Sequence, residues 1–228
     1  GPILKMKKTM DSLVSGDRVE ITSTDPGFPR DAAAWCSSTG NQLISKEASG
    51  GKSVVIIEKG EPKACNIVTS CEGKGKTFIM FSDDLDKALA TFVLANGAAA
   101  TGQKVTIFFT FWGLNVIKKP HKPETEKDIF GKMFGMMLPS SSKKLKLSKM
   151  SMGGIGGKMM RYIMNKKGID SLESLRQQAL ENGVEFIACQ MSMDVMGVKQ
   201  EELLDEVTIG GVATYMERAD NANVNLFI

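Results

Sequence analysis

The sequence predicts an α/β protein in two parts, a small two-layer α/β sandwich followed by an open three-layer α/β sheet of parallel strands. Two observations support this prediction. The 228 residues, 42% of them apolar, are enough for two domains of ordinary size. Strand patterns also alternate with helical patterns through much of the chain, as in sheets covered by helices. We expect domains at residues 1–60 and 76–228, with a linker at 61–75.

The first domain is predicted to lay two helices on one sheet. Residues 3–14 carry apolar side chains at spacings of three and four, and a second helix begins near Pro29 and stops at Gly40. Three strand patterns accompany these helices: residues 18–22, 42–47 and 53–59. Glycines at 50 and 51 favour a hairpin between the last two strands.

The second domain opens with a βαβ pattern. A continuous apolar strand at 77–81 leads into a long helix that ends near Gly102, and a second strand follows at 104–110. Such a crossover is right-handed in nearly all proteins and makes the sheet parallel. The remaining elements are expected at 124–138, 155–165, 171–182 and 212–219 as helices, and at 184–189, 207–209 and 224–227 as strands.

Charge and hydropathy exclude several classes of protein. The net charge is +3, from 29 basic and 26 acidic residues, so no strong field favours nucleic acid over the chain as a whole. The longest apolar stretches are too short to span a bilayer, and the N-terminus lacks a secretory signal. We therefore expect a cytoplasmic protein without a membrane span. The lysine-rich run at 143–149 fits a solvated loop or a patch for phosphate or a partner.

Metal and nucleotide sites are disfavoured by the residues available. His121 is the single histidine, which removes multi-histidine metal sites, and Cys65 with Cys71 makes only one cysteine pair. The glycine-rich stretch at 153–159 has Met159 where a phosphate loop needs Ser or Thr. We expect no cofactor and no metal in these residues, and free thiols in a reducing compartment.

Cys189 is the candidate reactive residue. It ends an apolar strand, and reactive groups of open α/β sheets collect beyond the carboxyl ends of the strands. Ser192 is expected to cap a short helix that follows, whose dipole would favour the thiolate, and Asp194 lies in the same segment. The alternative is an inert thiol at the end of a buried strand.

Two further stretches have a functional and a structural interpretation. Thr110, Trp112 and Gly113 follow the second strand of this domain, where aromatic side chains could shield a reactive sulfur from water or simply fill the core. Methionines concentrate around the lysine run, where they suit either a core or an adaptable partner surface. They are residues 133, 136, 137, 150, 152, 159, 160 and 164.

The first domain resembles the TusA-like sulfur carriers. The matching residues are Pro2–Lys8, Gly16-Asp17, Thr24–Gly27, Asp31, Ala34-Trp35-Cys36 and Gly40. That family carries a persulfide on a cysteine in a Cys-Pro-x-Pro motif, and the resemblance makes Pro2 the last proline of the motif, so its cysteine is absent from these residues. Cys36 does not correspond to the carrier cysteine, and we expect a structural role for it.

The second domain resembles the DsrE-like family, in its larger peroxiredoxin-like branch. The matching residues are Phe109–Gly113, the Met/Gly stretch at 152–160 and Cys189–Asp194. Members carry sulfur as a cysteine persulfide, and the family cysteine corresponds to Cys189. The tandem is similar to the C-terminal part of fusions with a flavin-dependent reductase related to the coenzyme A disulfide reductases, although these residues contain no flavin motif.

The resemblance predicts a sulfur-relay module in which Cys189 accepts and passes on sulfane sulfur, and leaves a sulfurtransferase activity open. Its expected partners are sulfur donor and acceptor proteins or low-molecular-weight persulfides, with no nucleic acid, and we expect a homo-oligomer. The alternative is a non-catalytic oligomerisation or docking module that uses the methionine-rich helices and leaves Cys189 unreactive.

Overall fold

The structure is a computed structural model that describes residues 2–24, 28–49, 52–61, 75–121, 123, 133, 135 and 137–228. The chain forms two compact units, one within residues 1–73 with 100–102 and the other within 74–99 and 103–228. The proposed linker at 61–75 and the predicted helix at 124–138 lie mostly outside the described residues. No helix within the described ranges has the length and apolar content that crossing a bilayer needs.

The first unit packs two helices on one face of an antiparallel sheet. Its elements in chain order are α1 (Pro2–Asp11), β1 (Arg18–Ser23), α2 (Phe28–Thr39), β2 (Gln42–Ser49) and β3 (Lys52–Glu58). The strand order is β1-β3-β2, which places the predicted hairpin of β2 and β3 at one side. Val55 and Ile57 point from β3 into a core shared with Met6, Met10 and Phe28 of the helices. This is the predicted two-layer sandwich.

The second unit is built on five strands. Its elements are β4 (Gly75–Met80), α3 (Leu85–Ala100), β5 (Val105–Phe109), a 3₁₀ helix (Phe111–Ile117), α4 (Ile155–Lys166), α5 (Leu172–Glu181), β6 (Glu185–Cys189), α6 (Gln190–Met196), β7 (Thr208–Gly210), α7 (Val212–Asp220) and β8 (Ala222–Phe227). The strand order is β7-β6-β5-β4-β8, and every neighbouring pair is parallel. The predicted parallel sheet is confirmed, and all five carboxyl ends lie at one edge, called here the carboxyl edge.

Alternate residues of each strand point to opposite sides of the sheet. Both of these sides are covered. On one side Ile107 and Phe186 join a core with Phe92 of α3 and Leu175 of α5. The opposite side carries a smaller cluster of Phe108, Ile187, Cys189 and Tyr215. Helices therefore lie on both faces, which is the predicted three-layer arrangement. The smaller cluster contains the candidate cysteine.

Candidate functional site

The thiol of Cys189 lies at the carboxyl edge of the parallel sheet. Cys189 is the last residue of β6, where it pairs with Gly210 of β7, and it also occupies the N-cap position of α6. Its side chain is 2% exposed and packs with Phe108, Ile187 and Tyr215. The sulfur is therefore sealed by apolar and aromatic side chains, and a reaction at this atom requires one of them to move.

Helix α7 contributes Tyr215 to the buried cluster that contains this thiol, and polar contacts hold the helix to the sheet. The ring of Tyr215 lies 5.2 Å from that of Phe108, and its hydroxyl is 3.3 Å from Oγ1 of Thr77. Further along α7, Nε of Arg218 donates to Oε2 of Glu185 at 2.9 Å. The hydrogen bonds from Arg218 hold the pKa of the Glu185 carboxyl below its usual range. The helix that carries Tyr215 is thus anchored to the sheet at two places.

Gly210 sets how closely the start of α7 approaches β6. A Cβ at this position would lie 2.8 Å from Cγ2 of Ile187 and 3.2 Å from Cβ of Thr214. A larger residue would therefore have to push α7 or Ile187 outward. The missing side chain lets the loop after β7 lie directly beside the strand that carries Cys189.

Thr110 and Ser192 form a buried hydroxyl pair between the end of β5 and the helix that follows Cys189. Their side-chain oxygens are 2.7 Å apart, which joins the residue after β5 to the first turn of α6. The prediction that Ser192 caps this helix is wrong, because the helix already begins at Gln190 and Cys189 occupies the cap position. Ser192 instead fixes α6 against the end of the neighbouring strand.

Replacing Ser192 with Ala is expected to lower the free energy of unfolding by about 1–3 kcal/mol, because the Thr110 hydroxyl is left buried without its partner. Urea unfolding followed by circular dichroism measures this change. The double variant Thr110→Val with Ser192→Ala removes both hydroxyls and should lose less stability than the sum of the two single changes. Strictly additive losses would show that the two hydroxyls do not depend on each other.

The other predicted site residues lie elsewhere. Trp112 is 43% exposed in the 3₁₀ helix and is not part of the buried cluster around Cys189. Gly113 has a structural reason to be glycine, since a Cβ there would come within 1.9 Å of the Met80 carbonyl oxygen. Asp194 is exposed on α6 and accepts a hydrogen bond from the Gln190 side chain at 2.9 Å. The structure therefore groups Cys189 with Phe108 and Tyr215 instead.

Cys36 differs chemically from a reactive thiol. It is buried in α2, and burial raises the pKa of its thiol to about 11. Cys36 is therefore protonated at neutral pH. Cys65 and Cys71 lie outside the described residues. Within the described ranges, no three side chains of the His, Cys, Asp or Glu type come together as a metal site.

Sequence reasoning missed Tyr215 and the anchors of α7. The alternation in β5 does carry a partial signal, because Thr106 and Phe108 must point to the side opposite Ile107. Which helix covers that side depends on the chain's path through β7, and no local pattern contains that information. The covering helix could be inferred only from the complete sheet order.

The second unit is a three-layer α/β domain, with a parallel sheet between helices and a buried cysteine at the end of a strand. The family model described as "DsrE/DsrF/DrsH-like family" matches residues 73–227, and the chain belongs to this family. A second family model, described as "Sulfurtransferase TusA", matches residues 1–59. Both resemblances predicted from the sequence are confirmed.

Individual relatives agree with these two matches. The chain is 44% identical over 155 residues to YrkE of Bacillus subtilis, covering 68% of this chain and 97% of that protein. It is 37% identical to "Sulfur carrier protein DsrE2" of Allochromatium vinosum over 161 residues, covering 69% of this chain and 99% of that protein. "Sulfur carrier protein TusA" of the same organism is 40% identical over 58 residues, 25% of this chain and 76% of that protein.

Proposed function

We propose that this chain is a sulfur-relay module in which Cys189 accepts a sulfane sulfur, holds it as a persulfide and passes it to another thiol. The placement of this thiol at the carboxyl end of an inner strand supports the proposal. The similarity of each domain to a protein named as a sulfur carrier supports it independently.

The transfer conserves oxidation state and needs no external redox partner. The Cys189 thiolate attacks the terminal sulfur of a donor persulfide, a new S–S bond forms at Cys189, and the donor S–S bond breaks to release the donor as a thiolate. An acceptor thiolate then attacks the terminal sulfur on Cys189 in the same manner. Cys189 leaves as a thiolate. When the acceptor enters as a thiol, the proton that it loses is equal to the one that the Cys189 thiolate can take up.

The residues around Cys189 control access to this chemistry. Phe108, Ile187 and Tyr215 exclude bulk water from the sulfur while α7 is in place, which would slow the loss of a bound persulfide. The hydroxyl pair of Thr110 and Ser192 keeps α6 in place beside the sulfur. We infer that α7 moves outward when a donor or acceptor approaches.

The proposal also covers the partners, cellular location and oligomeric state of the relay. We propose sulfur donor and acceptor proteins or low-molecular-weight persulfides as partners, a cytoplasmic location and a homo-oligomer. The link to a flavin-dependent reductase stays a prediction from resemblance. The matches to YrkE and DsrE2 cover 97% and 99% of those proteins, so these two relatives consist almost entirely of the second domain.

Sulfur mapping tests the proposal. The protein is incubated with a low-molecular-weight persulfide, its thiols are blocked, and the added mass is located on each cysteine peptide. We expect added sulfur at Cys189 and none at Cys36, whose raised thiol pKa keeps it protonated. Sulfur on Cys36, Cys65 or Cys71 with none on Cys189 would show that the assignment is wrong.

A docking module is the alternative proposal, and exposed methionines such as Met137 and Met159 favour it. It predicts a stable oligomer in light scattering together with a Cys189 that neither takes up sulfur nor reacts with alkylating reagents. The sulfur mapping therefore separates the two proposals, because only the relay requires Cys189 to react.

A further inference from the structure

One outward surface of the second unit combines exposed apolar side chains with unpaired lysines. We call it the methionine–lysine face. Its apolar members are Met150, Met152, Ile155, Met159, Tyr162 and Ile163, all exposed. Its rim consists of Lys149, Lys158, Lys166 and Lys167, all exposed, and none of these lysines has an ion-pair partner within the described ranges.

The packing of α4 fixes which side of the helix points outward. Gly156 and Gly157 lie against the segment before the helix, and a Cβ at Gly156 would come within 2.1 Å of the Met150 carbonyl oxygen. Met164 is buried on the same side. The opposite side of the helix therefore presents Ile155 and Tyr162 to solvent as part of a fixed surface.

The backbone before α4 is strained, and it carries two of the apolar side chains. Met150 has a φ of 57° and Met152 a φ of 43°, a left-handed conformation that non-glycine residues seldom adopt. Their side chains are 71% and 66% exposed, so burial of these methionines inside the unit does not compensate for the strain. Strain of this kind persists only where the surrounding structure holds it in place, so the backbone fixes these two methionines on the outside of the unit.

The charged residues of the chain segment that carries this face are all basic. Residues 129–169 contain nine lysines and arginines and no Asp or Glu. Two copies of the chain would therefore bring lysines against lysines, which disfavours self-association through this face. An amphipathic helix with a basic polar side suits an anionic surface of lipid headgroups.

We propose that the methionine–lysine face is a peripheral docking surface for an anionic membrane. The lysines attract the headgroups, and Met150, Met152, Ile155 and Met159 insert into the boundary between headgroups and acyl chains. Tyr162 has the amphipathic ring that is enriched at that depth. Helix α4 lies parallel to the bilayer in this arrangement and does not cross it.

Co-sedimentation of the full chain with vesicles tests the proposal. One set contains equal parts of phosphatidylglycerol and phosphatidylcholine, and the other contains phosphatidylcholine alone. We expect binding to the anionic set only, and the double variant Lys158→Glu with Lys166→Glu should lower the partition coefficient at least about tenfold. The matched control, Lys104→Glu with Lys199→Glu, changes the same number of exposed lysines of the second unit outside this face and should bind normally.

The apolar contribution is tested with Met159→Ser and Ile163→Ser together, which should weaken binding at both low and high salt. Circular dichroism verifies that every variant is folded. Equal binding to both vesicle sets, no binding to either, or unchanged binding by the Lys158/Lys166 variant would overturn the proposal. Polyglutamate is titrated in parallel, and binding of polyglutamate without binding to anionic vesicles would assign the face to an acidic protein instead.

Discussion

Cys189→Ser is expected to reduce sulfur transfer from a donor persulfide to an acceptor thiol at least about 1,000-fold, as removal of a nucleophile does in enzymes. A serine hydroxyl in place of the thiol cannot form a persulfide. Fold stability should change little, because the substitution alters one atom in a buried cluster. The measurement is sulfane sulfur delivered to the acceptor thiol per unit time, with urea unfolding as the test of stability.

Cys36→Ala is the matched control. Cys36 is buried, and its pKa of about 11 keeps it protonated, so its removal should leave the transfer rate unchanged. The pKa also predicts that any stability contributed by the neutral thiol is present below the pKa of an unfolded cysteine and is lost as the pH rises towards about 11. A Cys189→Ser variant that transfers sulfur at the rate of the unaltered protein would refute the role of Cys189.

Tyr215→Ala is expected to lower the free energy of unfolding by about 3–5 kcal/mol, because it leaves a cavity where an aromatic ring packs. It also uncovers Cys189, since Tyr215 and Phe108 seal the thiol on the side of α7. We therefore expect faster alkylation of Cys189 by iodoacetamide, measured peptide by peptide by mass spectrometry under conditions in which the variant stays folded.

Tyr215→Phe separates the ring from the hydroxyl. The ring remains over the thiol, so alkylation should stay slow, while loss of the contact with Thr77 should lower stability by about 0.5–1.5 kcal/mol. Cys36 in the same sample reports whether the first unit has opened, and circular dichroism reports whether the second unit stays folded. Slow alkylation of Cys189 in a folded Tyr215→Ala variant would mean that another element covers the thiol.

The fold was largely predictable because its signals are local. The alternation in β3 and the continuous apolar strands at β4, β5 and β6 follow directly from which faces are buried. The position of Cys189 at a strand end follows from the same pattern.

The surroundings of Cys189 were less predictable because they depend on tertiary contacts. Ser192 suggested a helix cap from its residue type, but the abrupt start of α6 at Gln190 places its hydroxyl inside the helix against Thr110. Gly113 was grouped with the aromatic stretch, but its role depends on the Met80 carbonyl oxygen, which belongs to a different strand. Tyr215 reaches the thiol only through the return of the chain after β7.

The lysine loop before α4 is attached at the same sheet edge as Cys189. The Leu85 amide at the start of α3 donates to the Lys146 carbonyl at 2.7 Å, and the Ser148 amide donates to Asp86 at 2.9 Å. Since α3 begins where β4 ends, this loop lies at the carboxyl edge. The net charge of +3 thus includes nine basic residues within 129–169, a segment that contains no Asp or Glu.

The lysines of this loop attract an anion before the two touch, because their field extends beyond contact distance. An anionic donor would therefore be drawn towards the lysine loop, and this attraction would weaken as salt screens the charges.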